Sequence, residues 1–242
     1  MIRLAHNRLM RILGSMRYFL FCCAALFLVA TARSEETGEI SLQFVSFPLV
    51  ADPQPVELLV GNGKAIPIQL PSNSLSAVYR VPRLSKWVIG KTVADEEGKE
   101  SFKVYGEGAA LVSKKQLFLV VRTGADDAAG LNLTAFDGAT GGFGGGAYLF
   151  FNAAKVDIAA TVGKTKFSLK PGSHKLVHPE PSKTEGERNY LYIYLYFRKG
   201  EEAVPFYSST WRFSTRARCF VFFYHDTYTG QLRTHTIRNY IE

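Results

Sequence analysis

Apolar residues in this chain recur in short runs closed by Gly, Pro, Asn or Asp, and beyond residue 33 helical periodicity is nearly absent. Runs rich in Val, Ile, Phe and Tyr, either alternating with polar residues or continuous, are the mark of strands. The pattern predicts strands over 40–47, 56–60, 65–70, 76–81, 86–90, 102–105, 116–122 and 131–136. A second series follows over 147–152, 156–162, 166–169, 174–178, 190–198, 203–213, 217–225 and 232–238. Gly61-Asn62-Gly63 adopts positive φ at little steric cost and predicts a tight hairpin. Asp137-Gly138 and Pro171-Gly172 are turn dipeptides of the same kind. The charged stretch 93–101 reads as a solvated loop, and Asp126-Asp127 as a polar turn. Segment 141–146, five glycines interrupted by Phe143, reads either as a flexible linker between two domains or as a loop within one.

A faint internal similarity favours two lobes. Val60-Gly61 precedes Lys64, the strand 66–70 and Pro71, while Val162-Gly163 precedes Lys164, the strand 167–169 and Pro171. In each case a further strand follows and ends at a proline, Pro82 or Pro179. Repeated sandwich modules have this form, and so do unrelated hairpins. The expectation is an all-β protein with two β-sandwich lobes of immunoglobulin-like form, over 38–140 and 146–242.

The first 32 residues stand apart. Arg3, Arg8, Arg11 and Arg17 precede an apolar run over 18–30, and Ala30-Thr31-Ala32 offers small residues at a cleavage site. That order is a secretory signal peptide, which predicts a secreted or periplasmic protein beginning at Arg33. The run is short against the roughly 20 residues of a spanning helix, so a retained anchor is the lesser alternative and no stable span is expected after cleavage. Removing the leader leaves 25 basic against 21 acidic residues, a net +4 rather than +8. Nucleic-acid binding thereby loses its main compositional support. Cys22 and Cys23 leave with the leader, so Cys219 has no intramolecular disulfide partner and reads as a small buried hydrophobe. About 210 residues are enough to be held by their cores alone.

Catalytic signatures are missing. No G-x-S-x-G occurs, and 141–146 lacks a P-loop lysine and a following helix. His174 and His178 share a strand face but stand about 13 Å apart at ~3.3 Å per residue, too far for one ion. His225-Asp226 with His235 across a hairpin is the better geometry, though surface histidines explain it as well. No cofactor, metal site or enzymatic activity is expected. Asn132-Leu133-Thr134 matches a glycosylation acceptor, informative only for a eukaryotic source.

The informative segment is 190–197. Strand periodicity places Tyr190, Tyr192, Tyr194 and Tyr196 on one face and Leu191, Ile193, Leu195 and Phe197 on the other. The tyrosine side either packs against the aromatics of a neighbouring strand, such as Phe220 and Phe222, or forms an exposed platform for sugar rings or a partner. Arg198, Lys199, Arg212, Arg216, Arg218, Arg233 and Arg238 gather near the C-terminus. Alternation aligns several of them on an outer face, as solvated charge or as a cationic patch for anionic envelope polymers or lipid headgroups.

The stretch Ala147-Tyr-Leu-Phe-Phe-Asn152, with Val162-Gly163, Leu169-Lys-Pro-Gly172 and Tyr207-Ser-Ser-Thr-Trp-Arg212, resembles a group of uncharacterised exported bacterial β-sandwich proteins over roughly residues 115–240. The resemblance implies a fold and an envelope location, and carries no activity. The expected role is therefore a noncatalytic interaction or structural module whose partner is an envelope protein. The alternative is a carbohydrate-binding module for a surface polysaccharide. Candidate binding residues are Tyr190, Tyr192, Tyr194, Tyr196, Arg212, Arg216 and Arg218.

Overall fold

The computed structural model describes residues 38–48, 55–123, 130–139, 141–183 and 189–241. The leader expected over 1–32 and the turn at Asp126-Asp127 lie outside them. The first series of strands is β1 (Glu39–Phe47), β2 (Val56–Leu59), β3 (Ala65–Ile68), β4 (Tyr79–Pro82), β5 (Lys86–Ala94), β6 (Glu100–Ala109), β7 (Lys115–Arg122) and β8 (Leu131–Asp137). The second is β9 (Tyr148–Asn152), β10 (Ile158–Val162), β11 (Thr165–Leu169), β12 (His174–Val177), β13 (Ser182–Lys183), β14 (Asn189–Lys199), β15 (Glu202–Arg212), β16 (Ala217–His225) and β17 (Leu232–Tyr240).

The protein is all-β, and every predicted strand has a counterpart; two-residue β13 is the addition. The loop expected over 93–101 contracts to a turn. Asp95 Oδ1 accepts the Glu97 and Lys99 amides at 3.1 and 2.8 Å, closing the β5–β6 hairpin.

The two series pair separately and on one plan. An inner sheet of order β4-β1-β7-β8 faces an outer sheet β3-β2-β5-β6. An inner sheet β12-β9-β16-β17 faces an outer sheet in which β11, β10, β14 and β15 run side by side, with β13 also on β14. In each inner sheet the central pair, β1 with β7 or β9 with β16, is parallel and the other pairs are antiparallel. Leu58, flanked by Ile66 and Ile89, holds the place that Ala160, flanked by Phe167 and Leu195, holds in the second half. Val60-Gly61 and Val162-Gly163 are then equivalent turn entries, so the repeated sequence signal marks the same hairpin twice.

Among the described residues three apolar cores result. One fills the first sandwich around Phe44, Trp87, Ile89 and Phe118, and one fills the second around Phe150, Ile193, Val221 and Phe223. The third lies between the two inner sheets and joins Val45, Phe47, Leu117 and Leu119 to Leu149, Phe151, Phe220 and Phe222. Both faces of each inner sheet are thus covered. This is why β7, β9 and β16 are almost continuously apolar, whereas β14, with one face on a core, alternates. Phe47 stacks on Phe222 at 4.7 Å between ring centres, a pair that contributes about 0.5–1.5 kcal/mol beyond its burial.

Segment 141–146 connects the sandwiches but is packed, not loose. Phe143 is fully buried, and its ring meets Phe136 and Phe220. Its amide donates to Asp137 O, and Gly146 N donates to Ala217 O at 2.7 Å. A Cβ on Gly145 would collide with the Thr215 carbonyl, so glycine here serves close backbone approach and not freedom.

Candidate functional site

The tyrosine row lies on the solvent side of the second sandwich's outer sheet. Leu191, Ile193 and Leu195 are fully buried in the core beneath, while Tyr192 and Tyr194 are each 42% exposed and Tyr190 and Tyr196 are half-buried. The expected alternative, packing against Phe220 and Phe222, does not occur, because those two rings belong to the core between the inner sheets. Short neighbours explain the exposure. Tyr196 stands opposite Ala159 and Tyr194 opposite Thr161 on β10. On β15, Ser208 and Thr210 stand opposite Tyr194 and Tyr192. None of these side chains is long enough to cover a phenol ring, so the rings form a ridge flanked by hydroxyls.

One end of the ridge runs into a recess of about 300 Å3. Its wall combines Tyr196, Ser168, Asp157, Arg198, Glu201 and Glu202. The recess opens beside a β-bulge at Leu195/Tyr196, which bends the β14–β15 hairpin as bulges do. Arg198 N donates to the Asp157 carbonyl at 3.0 Å, tying the end of β14 to the entry of β10. An aromatic edge, three carboxylates, a guanidinium and a hydroxyl therefore converge at one open site. Asp157, Glu201 and Glu202 were not among the residues expected from sequence, because only the register of β10, β14 and β15 brings them together.

The three candidate arginines go to three places. Arg212 is exposed at the far end of the ridge, opposite Tyr190, and its carbonyl accepts from Arg238 at 3.0 Å. Arg216 is exposed beside the connecting segment. Arg218 is only 6% exposed, which corrects its expected place on an outer face. It shares a face of β16 with Phe220 and Phe222, pointing into the junction. Its guanidinium donates to Asn239 Oδ1 (2.9 Å), Phe143 O (3.2 Å), Gln43 Oε1 (3.4 Å) and Gly138 O (3.5 Å), and lies 5.7 Å over the Phe143 ring. All of these partners are neutral, and burial brings its pKa down to about 10.

Among the described residues the histidines do not assemble a site. His235 stacks on Phe222 and contacts Ser72 O at 3.2 Å, whereas His225 stands opposite Leu232, three positions along the same hairpin. His174 meets the Phe136 ring edge-on and is held below the usual imidazole range by burial; His178 contacts Gly142 O at 3.1 Å. Among the described residues there is no group of three metal-ligating side chains. Cys219 is buried, as its apolar strand implied, and burial raises its thiol pKa. Among the described residues, no helix is long and apolar enough to cross a membrane.

No family model matches this chain, and no curated protein matches it in sequence. The site must speak through its own chemistry.

Proposed function

We propose that this protein is an exported, noncatalytic carbohydrate-binding module, and that the ridge of Tyr190, Tyr192, Tyr194 and Tyr196 with its terminal recess is the glycan site. The observation that carries this reading is the exposed pair Tyr192 and Tyr194 standing over short neighbours and leading to Asp157, Glu201 and Glu202. A sugar ring has an apolar C–H face and a polar rim. The phenol faces supply stacking surface, while the carboxylates accept and Arg198 donates hydrogen bonds to hydroxyls. Glu201 and Glu202 are exposed, a setting that suits hydrogen bonding rather than general-acid work. The leader read over 1–32 supports an envelope or extracellular location, where a surface polysaccharide is the partner.

A second reading, an interaction module for an envelope protein, is favoured by one feature. Among the described residues β15 pairs with β14 alone, leaving a long strand edge beside the ridge that a partner strand can extend.

The test is retention on isolated cell-wall polysaccharide and mobility in gels containing soluble glycans. The wild-type protein is expected to be retarded by at least one glycan, with Tyr192→Ala/Tyr194→Ala weakening binding about tenfold or more, the scale of two aromatic contacts. Absence of retardation on every glycan, together with one protein cross-linked reproducibly through β15, would replace this reading by the second.

A further inference from the structure

A second recess lies away from the tyrosine face. It lies at the junction of the two sandwiches, has a volume of about 610 Å3, and is lined by Lys115, Gly138, Ala139, Gly144, Gly145, Thr215, Arg216 and Ile241. Both sandwiches contribute to it. Lys115 begins β7 and Gly138 follows β8 in the first, while Thr215 and Arg216 enter β16 and Ile241 follows β17 in the second. Gly144 and Gly145 add bare backbone between them.

The ionisable side chains on the wall of this recess carry one sign of charge. Lys115 and Arg216 are its ionisable lining residues, both are exposed, and among the described residues neither forms an ion pair. Arg218 adds a third cation behind the wall, bonded to the carbonyl of the lining residue Gly138 and to other neutral groups. The carboxylate of Asp137, next in sequence to Gly138, is not itself on the wall; it keeps its charge and is held by the Ser113 hydroxyl at 2.5 Å and the Ala139 amide at 2.9 Å. Concave walls that carry one sign of charge focus the field and attract the opposite ion.

We infer that the recess between the sandwiches is an oxyanion-binding site, with Lys115 and Arg216 as its two charged donors and a phosphate or carboxylate group as its ligand. The Arg216 guanidinium suits planar, two-point recognition, and Lys115 supplies a point charge from the other sandwich. Because one donor comes from each half, an occupied site fastens the two halves to each other at their junction. This site stands apart from the tyrosine ridge and does not depend on it.

The experiment is an amide-resolved NMR titration of the purified 15N-labelled protein. Sodium phosphate and sodium acetate are added separately, at ionic strength held constant with sodium chloride. The expected result is saturable shifts concentrated at Gly138, Gly144, Gly145, Thr215 and Arg216 with one or both anions. Affinity should fall about tenfold or more in Arg216→Gln, the scale of one charge-assisted hydrogen bond, and comparably in Lys115→Gln. Saturation with phosphate alone assigns a phosphate-bearing ligand, and saturation with acetate assigns a carboxylate. Non-saturating shifts spread over surface Lys and Arg residues, or saturable shifts that survive both substitutions, overturn the inference. Both side chains are exposed, so unchanged melting temperatures keep the variants interpretable.

Discussion

The two sandwiches share one strand plan and turn opposite surfaces to solvent. In the first outer sheet, Glu57 stands across from Gly90; in the second, the equivalent places hold Ala159 and Tyr196. Large and small have changed sides. Glu57 folds down and its carboxylate accepts the Thr92 hydroxyl and amide at 2.6 and 2.7 Å, while Lys86 and Glu107 pair at 2.7 Å on the same face. That surface satisfies itself. On the second, the short cross-strand neighbours among the described residues leave Tyr192 and Tyr194 exposed, which is the surface the proposed glycan would cover. The closing corners differ too. β6 lies on β8 through Gly106 and Gly108, where a Cβ on Gly106 would collide with the Leu131 carbonyl. In the second sandwich side chains do that work: Trp211 stacks on Tyr148 at 6.0 Å and donates to the Tyr207 hydroxyl at 2.9 Å.

The sharpest break in this comparison is Gly106→Val, which forces backbone from backbone. We expect a loss of more than about 3 kcal/mol or no soluble protein, against roughly 2 kcal/mol for half-buried Trp211→Ala, both read by urea denaturation. Phe222→Ala in the shared core should cost about 3–5 kcal/mol. It should also shift both tryptophans together when Trp87 and Trp211 are monitored singly in Trp211→Phe and Trp87→Phe backgrounds; a shift of one alone would separate the halves. The acid limb of stability comes next. Hydrogen bonds from Thr92 hold the Glu57 pKa below its ordinary value. Its contribution is therefore full above the unfolded value of about 4.3 and is lost as pH falls through the lower folded value. Glu57→Gln should flatten the midpoint-versus-pH curve on that acid side, an effect that no substitution at Ala159 can mimic. The smallest effect belongs to Tyr192→Ala and Tyr194→Ala, each expected within about 0.5 kcal/mol of wild type in the same assay; a larger loss would mean the ridge is part of the fold's support.

Strand positions were legible because period-two alternation and Gly or Pro turns are local properties. The twofold plan was legible only as Val60-Gly61 echoed by Val162-Gly163, since the inner sheets repeat apolar character rather than particular residues. What escaped depends on pairing at a distance. Nothing local distinguishes Arg218, buried over Phe143, from Arg216, exposed two residues earlier. The glycines of 141–146 read as slack because composition reports freedom, while the fold uses them for contact. Asp157, Glu201 and Glu202 converge only after a bulge sets the register of β14 against β15.

The parallel pairs at the centre of the inner sheets also impose an order of assembly. A parallel neighbour cannot be reached by a hairpin, so Ser41 finds its partner only when Lys115 has arrived, and Tyr148 waits likewise for Cys219. As the chain emerges from its N-terminal end, hairpins such as β2–β3 and β5–β6 close at once. β1 can pair early with β4 and β9 with β12, but the other edge of each stays open until its half is nearly complete. Maturation is thus late and abrupt within each half, and the interval before it is when the chain is most exposed to aggregation.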